Sequence, residues 1–186
     1  IDLSRETDKD PKLVQLILNE SKEVVRYRKG VIVVENILGL IHANAGIDKS
    51  NIKSDSNNPR VLLLPEDPDK SATELREGIF KQTNKKIGII INDSSGRAWR
   101  NGIVGIAIGS SGAEVLSDLK GNLDLFGNTL EVTEVGKADE VASAASLLMG
   151  QGKEALPVVV IKGLTESEDL NGAKALIRKS SEDLFR

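Results

Sequence analysis

The sequence predicts an α+β fold of mixed sheets and packed helices, and three observations carry that reading. Short runs rich in β-branched residues, VIVVE (31–35), IGIIIN (87–92) and VVVIK (158–162), have the length and composition of buried strands. The first is followed, after a short Asn-containing turn, by LGLIHA (38–43), the arrangement of a hairpin. The other strand-like runs stand isolated between helical segments, which fits α+β better than a doubly wound parallel sheet. At 186 residues the chain is read as one domain, 1–186, able to bury about two thirds of its unfolded surface without disulfide or metal staples.

Taken in order, the elements follow from local chemistry. Asp10-Pro11 is a helix start: the aspartate accepts from orphan amides, and proline in the first turn loses no hydrogen bond. Leu13, Val14, Leu16, Ile17, Leu18, Val24 and Val25 follow at roughly helical spacing, so one helix is expected to run to Lys29-Gly30. After the hairpin, NAGIDKSNIKSDSNNPR (44–60) is polar, aperiodic and turn-rich. VLLL (61–64) reads as a short buried strand ending at Pro65. Ser71 and Glu74 have capping-box spacing, and a helix is expected from there to about Thr83. The strand at 87–92 should give way to a loop, DSSGRAWR (93–100). NGIVGIAIGSSG (101–112) mixes glycine with β-branched residues, as a strand under close backbone contact does. LEVTEV (130–135) is strand-like, ADEVASAASLLMG (138–150) is a small-residue helix, and 158–162 is a last core strand. The tail from about Ala173 to Arg186 is expected to be helical.

Composition removes several functional classes. With 25 Lys+Arg against 28 Asp+Glu the net charge is −3, which argues against capture of nucleic acid or an anionic membrane by bulk charge. Zero cysteines exclude disulfides, thiolate nucleophiles, zinc ribbons and iron–sulfur clusters. A single histidine, His42, excludes every multi-histidine metal site. No apolar run reaches the length of a membrane span and no signal peptide is present, so a soluble, cytoplasmic protein is expected. Ile1 opens onto LSRETDKD with no methionine, strand or cap before it, and reads as a chain that lacks its natural beginning.

The common nucleotide motifs are absent. Gly136-Lys137 and Gly152-Lys153 both lack the upstream glycine of a P-loop, and Gly102, Gly105, Gly109 and Gly112 do not have dinucleotide-fingerprint spacing. Gly109-Ser110-Ser111-Gly112 has the wrong spacing for a nucleophile elbow. His42, inside an expected strand, reads as structural rather than catalytic. Two aspartates stand out by placement: Asp48 follows a strand in NAGIDKSN, and Asp93 ends the most hydrophobic one. Strand ends present functional groups on a rigid scaffold, and hard cations take carboxylate oxygens there. Asp93 is followed by Ser94 and Ser95 and then by Arg97 and Arg100, the parts that phosphoryl transfer requires. The competing reading makes Asp93 a turn cap and leaves both arginines solvated. Glu66, Asp67 and Asp69 in LPEDPD (64–69) read as turn and capping residues. By themselves the residues reach a metal–phosphate site and no further.

Five blocks then occur in one order: NAGIDKSN (44–51), LLLPEDPDKSA (62–72), INDSSGRAWRNGIVGIAIGSSG (91–112), DLFGNTLEVTEVGKADEVASAASLLMGQG (124–152) and LIRKSSEDLFR (176–186). Together they resemble the coenzyme F-420 γ-glutamyl ligases and cover nearly the whole chain from Asp10 onward. The resemblance implies a γ-glutamyl ligase-like α+β fold in an intertwined homodimer. It implies a GTP-dependent ligase that adds L-glutamate to the phospholactyl carboxylate of a deazaflavin coenzyme precursor. The expected route is an acyl phosphate, with release of GDP and phosphate, served by Mn2+ or Mg2+ at two sites and by K+.

Residue by residue, the resemblance makes Asp48 and Asp93 metal ligands and Asn51 a nucleotide contact. Ser94 stands where the family usually has threonine, and either hydroxyl could serve a second ion. Met149, Gly150, Gln151, Gly152, Lys153, Glu154, Ala155 and Leu156 fall on the segment that wraps the guanine nucleotide. Gln151 departs from a metal-binding glutamate of some members; its amide oxygen carries no charge and would hold an ion more weakly. Arg97 and Arg100 have no motif role and are candidates for binding phosphate or acidic substrate. The family's N-terminal segment, with further nucleotide-contacting loops and a lysine, has no match here. Two other readings stand beside the ligase: a non-catalytic dimeric fragment or remnant of the fold, and a related ligase acting on another carboxylate acceptor.

Overall fold

Aspartate caps start both N-terminal helices in the computed structural model, which describes residues 2–55, 59–164, 167 and 171–185. Asp2 accepts from the amides of Ser4 and Arg5 at the head of α1 (Leu3–Thr7), and Asp10 from those of Lys12 and Leu13 at the head of α2 (Pro11–Asn19). The helix expected to reach Lys29-Gly30 stops at Asn19, and β1 (Ser21–Arg28) takes its second half. Val24 and Val25 lie seven residues beyond Ile17 and Leu18, a spacing that suits a helix; with Tyr27 they are also strong strand formers. A neighbouring strand decides the outcome. β1 pairs antiparallel with β2 (Val31–Asn36) across Lys29-Gly30, where Gly30 takes φ +84°.

β3 (Ile41–Ala43) pairs antiparallel on the other side, giving the sheet order β1-β2-β3. The expected hairpin is present, and Asn36 closes its turn by accepting from the amides of Leu38 and Leu40, each at 3.0 Å. Alternate residues of β2, Ile32, Val34 and Asn36, point inward. Val14, Ile17 and Ala45 join Ile32 and Val34 in one core. The expected strand at 61–64 is not formed: a single bridge joins Leu62 to Asp48, and Leu62 and Leu63 are exposed. Apolar content alone does not make a strand where no ladder continues beside it.

The chain divides into two compact units, one of Ile1–Glu66, Ser95–Ile103 and Lys179–Arg186 and the other of Asp67–Ser94 and Val104–Arg178. In the second, α3 (Pro68–Thr83) begins four residues earlier than the Ser71–Glu74 spacing predicts. Asp67 is the cap, accepting from the Lys70 amide at 3.0 Å ahead of Pro68, while the Ser71 hydroxyl bonds back to the Asp67 carbonyl at 3.1 Å. β4 (Ile89–Arg97) pairs with β5 (Arg100–Ser111). The loop expected at 93–100 shrinks to Ala98-Trp99, because the polar residues after Asn92 stay within the hairpin ladder. Trp99 takes φ +61°, is 87% exposed and meets Phe185 at a ring-centroid distance of 6.3 Å.

The glycine-rich strand is under close backbone contact, as expected. A Cβ on Gly105 would stand 2.6 Å from the Ala142 carbonyl oxygen, and one on Gly109 would stand 2.4 Å from that of Pro68. β6 (Ser117–Asp118) pairs antiparallel with β7 (Glu134–Val135), so only the end of LEVTEV is strand. The Leu130 amide and carbonyl are taken by Asn122 and Gly121 in the turn between them. α4 (Lys137–Met149) is the small-residue helix, and Gly150 follows it with φ +72°. Its Ala138 and Ala142 join Ala107, Val115 and Ala173 in the second core.

Two C-terminal expectations fail. VVVIK (158–162) is not a strand, and Val158 and Val160 are 78% and 77% exposed. Among the described residues nothing hydrogen-bonds alongside it as a ladder, and strand propensity needs a partner. The tail holds two short 3-10 helices, Ala173–Leu176 and Ser180–Glu182, rather than a continuous helix. The whole is an α+β chain of small antiparallel sheets and helices, and no helix among the described residues is long and apolar enough to cross a membrane.

Candidate functional site

Asp48 is held by its backbone and offers its carboxylate. A 3-10 turn, Asn44–Gly46, precedes it, with Asn44 and Ala45 at φ 52° and 59°. The Asn44 side chain accepts from the Ile32 amide at 3.2 Å, which ties the turn to β2. Asp48 then exchanges both backbone bonds with Leu62, at 3.0 and 2.9 Å. Its exposed carboxylate accepts from the Ser50 amide at 2.7 Å, and the Ser50 hydroxyl lies 2.8 and 2.9 Å from its two oxygens. Asn51 follows, exposed, in the left-handed conformation at φ 52°. Lys9, in the same unit, is held below the ordinary lysine range by burial first and by the charge of Lys49 second. Two lysines close enough to repel are a feature that the ETDKD and IDKSN segments did not signal.

Asp93 is half-buried, in the middle of β4 rather than at its end. Its Oδ1 accepts from the Ser94 amide at 2.8 Å, and Ser94 is exposed. Asn92, on the opposite face of the strand, donates to the Ala142 carbonyl at 3.1 Å and approaches the Met149 sulfur at 3.5 Å. The strand that carries Asp93 is thus tied to the first residue of the 149–156 segment. Pattern reading had no signal for that link, since Asn92 and Met149 are far apart in the chain.

The segment itself leaves α4 sharply. Gly150 donates to the Ser146 carbonyl at 3.1 Å, and Ala155 takes φ 55°. Gln151, Gly152, Lys153, Glu154, Ala155 and Leu156 are exposed. The Glu154 carboxylate folds back to accept from the Gly152 amide at 2.8 Å, and a Cβ on Gly150 would stand 2.3 Å from its carboxyl carbon. A carboxylate therefore lies over the residues that flank Gln151, which sequence reading had treated only as a neutral amide.

Arg97 and Arg100 are exposed on either side of Ala98-Trp99, and Arg97 Nη2 donates across the turn to the Asn101 carbonyl at 3.0 Å. Asp48, Asn51, Arg97 and Arg100 belong to the first unit; Asp93, Ser94 and 149–156 belong to the second. His42 is buried within β3. Asp67 caps α3 as expected, but Asp69 does not do turn or capping work: its Oδ1 accepts from the distant amides of Ser110 at 2.8 Å and Ala173 at 2.7 Å, tying α3 to β5 and to the 3-10 helix at Ala173.

The donors at Asp48–Ser50 and Asp93–Ser94 are all oxygen, the chemistry of hard divalent cations. Among the described residues no three histidine, aspartate or glutamate side chains cluster, so a cation at either aspartate would complete its shell with water and ligand oxygens.

The sequence profile of the F420-0:gamma-glutamyl ligase family matches residues 1–163. The coenzyme F420:L-glutamate ligase of Methanocaldococcus jannaschii is 47% identical over 186 residues, which is all of this chain and 73% of that protein. A protein of the same name in Methanopyrus kandleri is 44% identical, over 99% of this chain and 73% of its own length. That of Archaeoglobus fulgidus is 42% identical over 178 residues, 96% of this chain and 69% of its own.

Proposed function

The chain belongs to the F420-0:gamma-glutamyl ligase family, and from that premise we propose that it joins L-glutamate to the phospholactyl carboxylate of a deazaflavin coenzyme precursor, using GTP. One observation carries the reading: 47% identity to a coenzyme F420:L-glutamate ligase across the full length of this chain. A carboxylate is a poor electrophile, so it is activated first. Its oxygen attacks the γ-phosphorus of GTP and GDP leaves, giving an acyl phosphate. The glutamate amine then attacks the acyl carbon, loses its proton, and phosphate departs with the broken C–O bond.

Asp48 and Asp93 would hold divalent Mg2+ or Mn2+, with the Ser94 hydroxyl and Gln151 amide oxygen at a second, weaker position. Such ions supply neutralisation of phosphate charge; K+ is part of the same proposal. Asn51 and 149–156 bind the nucleotide, and Arg97 and Arg100 bind phosphate or the acidic substrate. The protein works as a homodimer in the cytoplasm. The exposed Leu147, Leu148, Val158 and Val160, all of the second unit, support the dimer, since a second copy would take them out of water.

The test is turnover of the purified chain with GTP, L-glutamate, the deazaflavin precursor and Mn2+, read by mass spectrometry as gain of one or more glutamyl units. Asp93→Asn is expected to lower the rate by at least about a hundredfold with the circular dichroism spectrum unchanged. Full turnover by that variant would remove Asp93 from the machinery.

A further inference from the structure

The second unit holds a cavity of about 510 Å3 between the first turns of α3, the end of β5 and the segment at 172–174. Its two acids are already spent. Asp69 Oδ1 takes two backbone amides, and Asp67 caps α3 and faces Lys174 Nζ at 3.7 Å. Its three cations are held only loosely, Lys174 by that contact with Asp67. Among the described residues Arg76 gives only Nε, to the Ile87 carbonyl at 3.1 Å, and Lys70 reaches only Glu74, at 3.9 Å. Hydroxyls line the same space: Thr73 Oγ1 lies 3.2 Å from Ser111 Oγ, while Ser110, only 4% exposed, keeps its Oγ buried behind them with no hydrogen-bond partner among the described residues. Glycine keeps the walls apart from side chains. A Cβ on Gly112 would stand 2.4 Å from Arg76 Nε, and one on Gly172 would stand 2.4 Å from Asp69 Cγ.

We infer that this cavity binds a small molecule bearing a carboxylate or phosphate, at a site apart from the ligase residues. Three cationic side chains, the Thr73 and Ser111 hydroxyls and the positive end of a 16-residue helix converge on it, and its volume is that of a small-molecule pocket. It lies beside Ile87, two residues before β4, whereas Asp93 stands about 13 Å beyond the first residue of that strand, Ile89. Binding here therefore needs neither divalent metal nor nucleotide.

Calorimetric titration of the chain, in the presence of chelator and without nucleotide, tests this with inorganic phosphate and separately with L-glutamate as probes. Saturable binding of at least one probe is expected; phosphate alone would assign a phosphate ester, and glutamate alone a carboxylate. Arg76→Gln and Lys174→Gln should each weaken binding about tenfold or more, and Asp93→Asn should leave it unchanged. Arg76 also anchors Ile87, so Lys174→Gln and Ser111→Ala decide if Arg76→Gln fails to fold. Absence of saturable binding with both probes, or binding indifferent to Lys174→Gln and Ser111→Ala, would overturn the assignment. Asp93→Asn separates this site from the ligase, because it abolishes turnover in one assay and leaves the other untouched.

Discussion

Asp139 sits where burial and a backbone donor pull its carboxyl in opposite directions. Burial raises its pKa above the ordinary 3.8, and the bond from the Ala107 amide, at 2.9 Å, opposes that shift without cancelling it. Ionisation is then harder in the folded chain than in the unfolded one, so this group's contribution to stability falls as pH rises from about 4 through the raised value. Asp139→Asn keeps an oxygen for Ala107 and removes the charge. The variant should match the wild type in urea midpoint near pH 3.5 and exceed it at pH 7; the reverse order would refute the burial account. Asp2, Asp67 and Asp124 shift the other way, lowered chiefly by hydrogen bonds from Ser4, from the Lys70 amide and from Asn128, and what they contribute is lost as pH falls below 3.8. They cancel in the comparison. At this scale much was legible: Asp10 caps, Asp67 caps, and His42 is buried, because each depends on its nearest neighbours. The Glu154 carboxylate over Gly152 was not, since a long flexible side chain gives no periodic signal.

For the helices, the cap carries the prediction. Asp10 holds the amides of Lys12 at 2.8 Å and Leu13 at 3.0 Å, so Asp10→Ala should cost about 1 kcal/mol in a denaturation curve, with the helix start frayed. Where sequence pattern erred, it erred mostly on strands, the helix expected in the tail being the exception. Periodicity could not divide α2 from β1, because two valines seven residues past Ile17 and Leu18 fit both states and only β2, across Gly30, selects one. The runs at 61–64 and 158–162 have strand composition but lack a continuous ladder partner among the described residues. The polar stretch after Asn92 has the reverse character: loop-like residues become strand because β5 lies alongside. The glycine-rich β5 was readable in advance because close approach of α3 and α4 leaves no other residue for Gly109 and Gly105.

At the scale of the molecule, the exposed valines lead to a statement about assembly. If a second copy covers Val158 and Val160, replacing both with aspartate should yield a monomer in sedimentation velocity while the wild type sediments as a dimer. A wild-type monomer at micromolar concentration would sink the dimer. The expectation of a metal–phosphate site rests on two aspartates at expected strand ends, and Asp93 lies instead in the middle of β4; the glutamate-ligase reading comes from long blocks of resemblance, since no local geometry encodes the acceptor. Trp99 carries a practical consequence for every measurement above. It is the chain's single tryptophan and is 87% exposed at a hairpin tip, touching only Phe185 among the rings. Its indole already emits from water in the native state, so intrinsic fluorescence will barely register unfolding of either core. An optical trace that stays flat through denaturant will report the dye's position, not the protein's resilience, and the same exposure makes Trp99 a ready collisional-quenching probe of anything that docks on that tip.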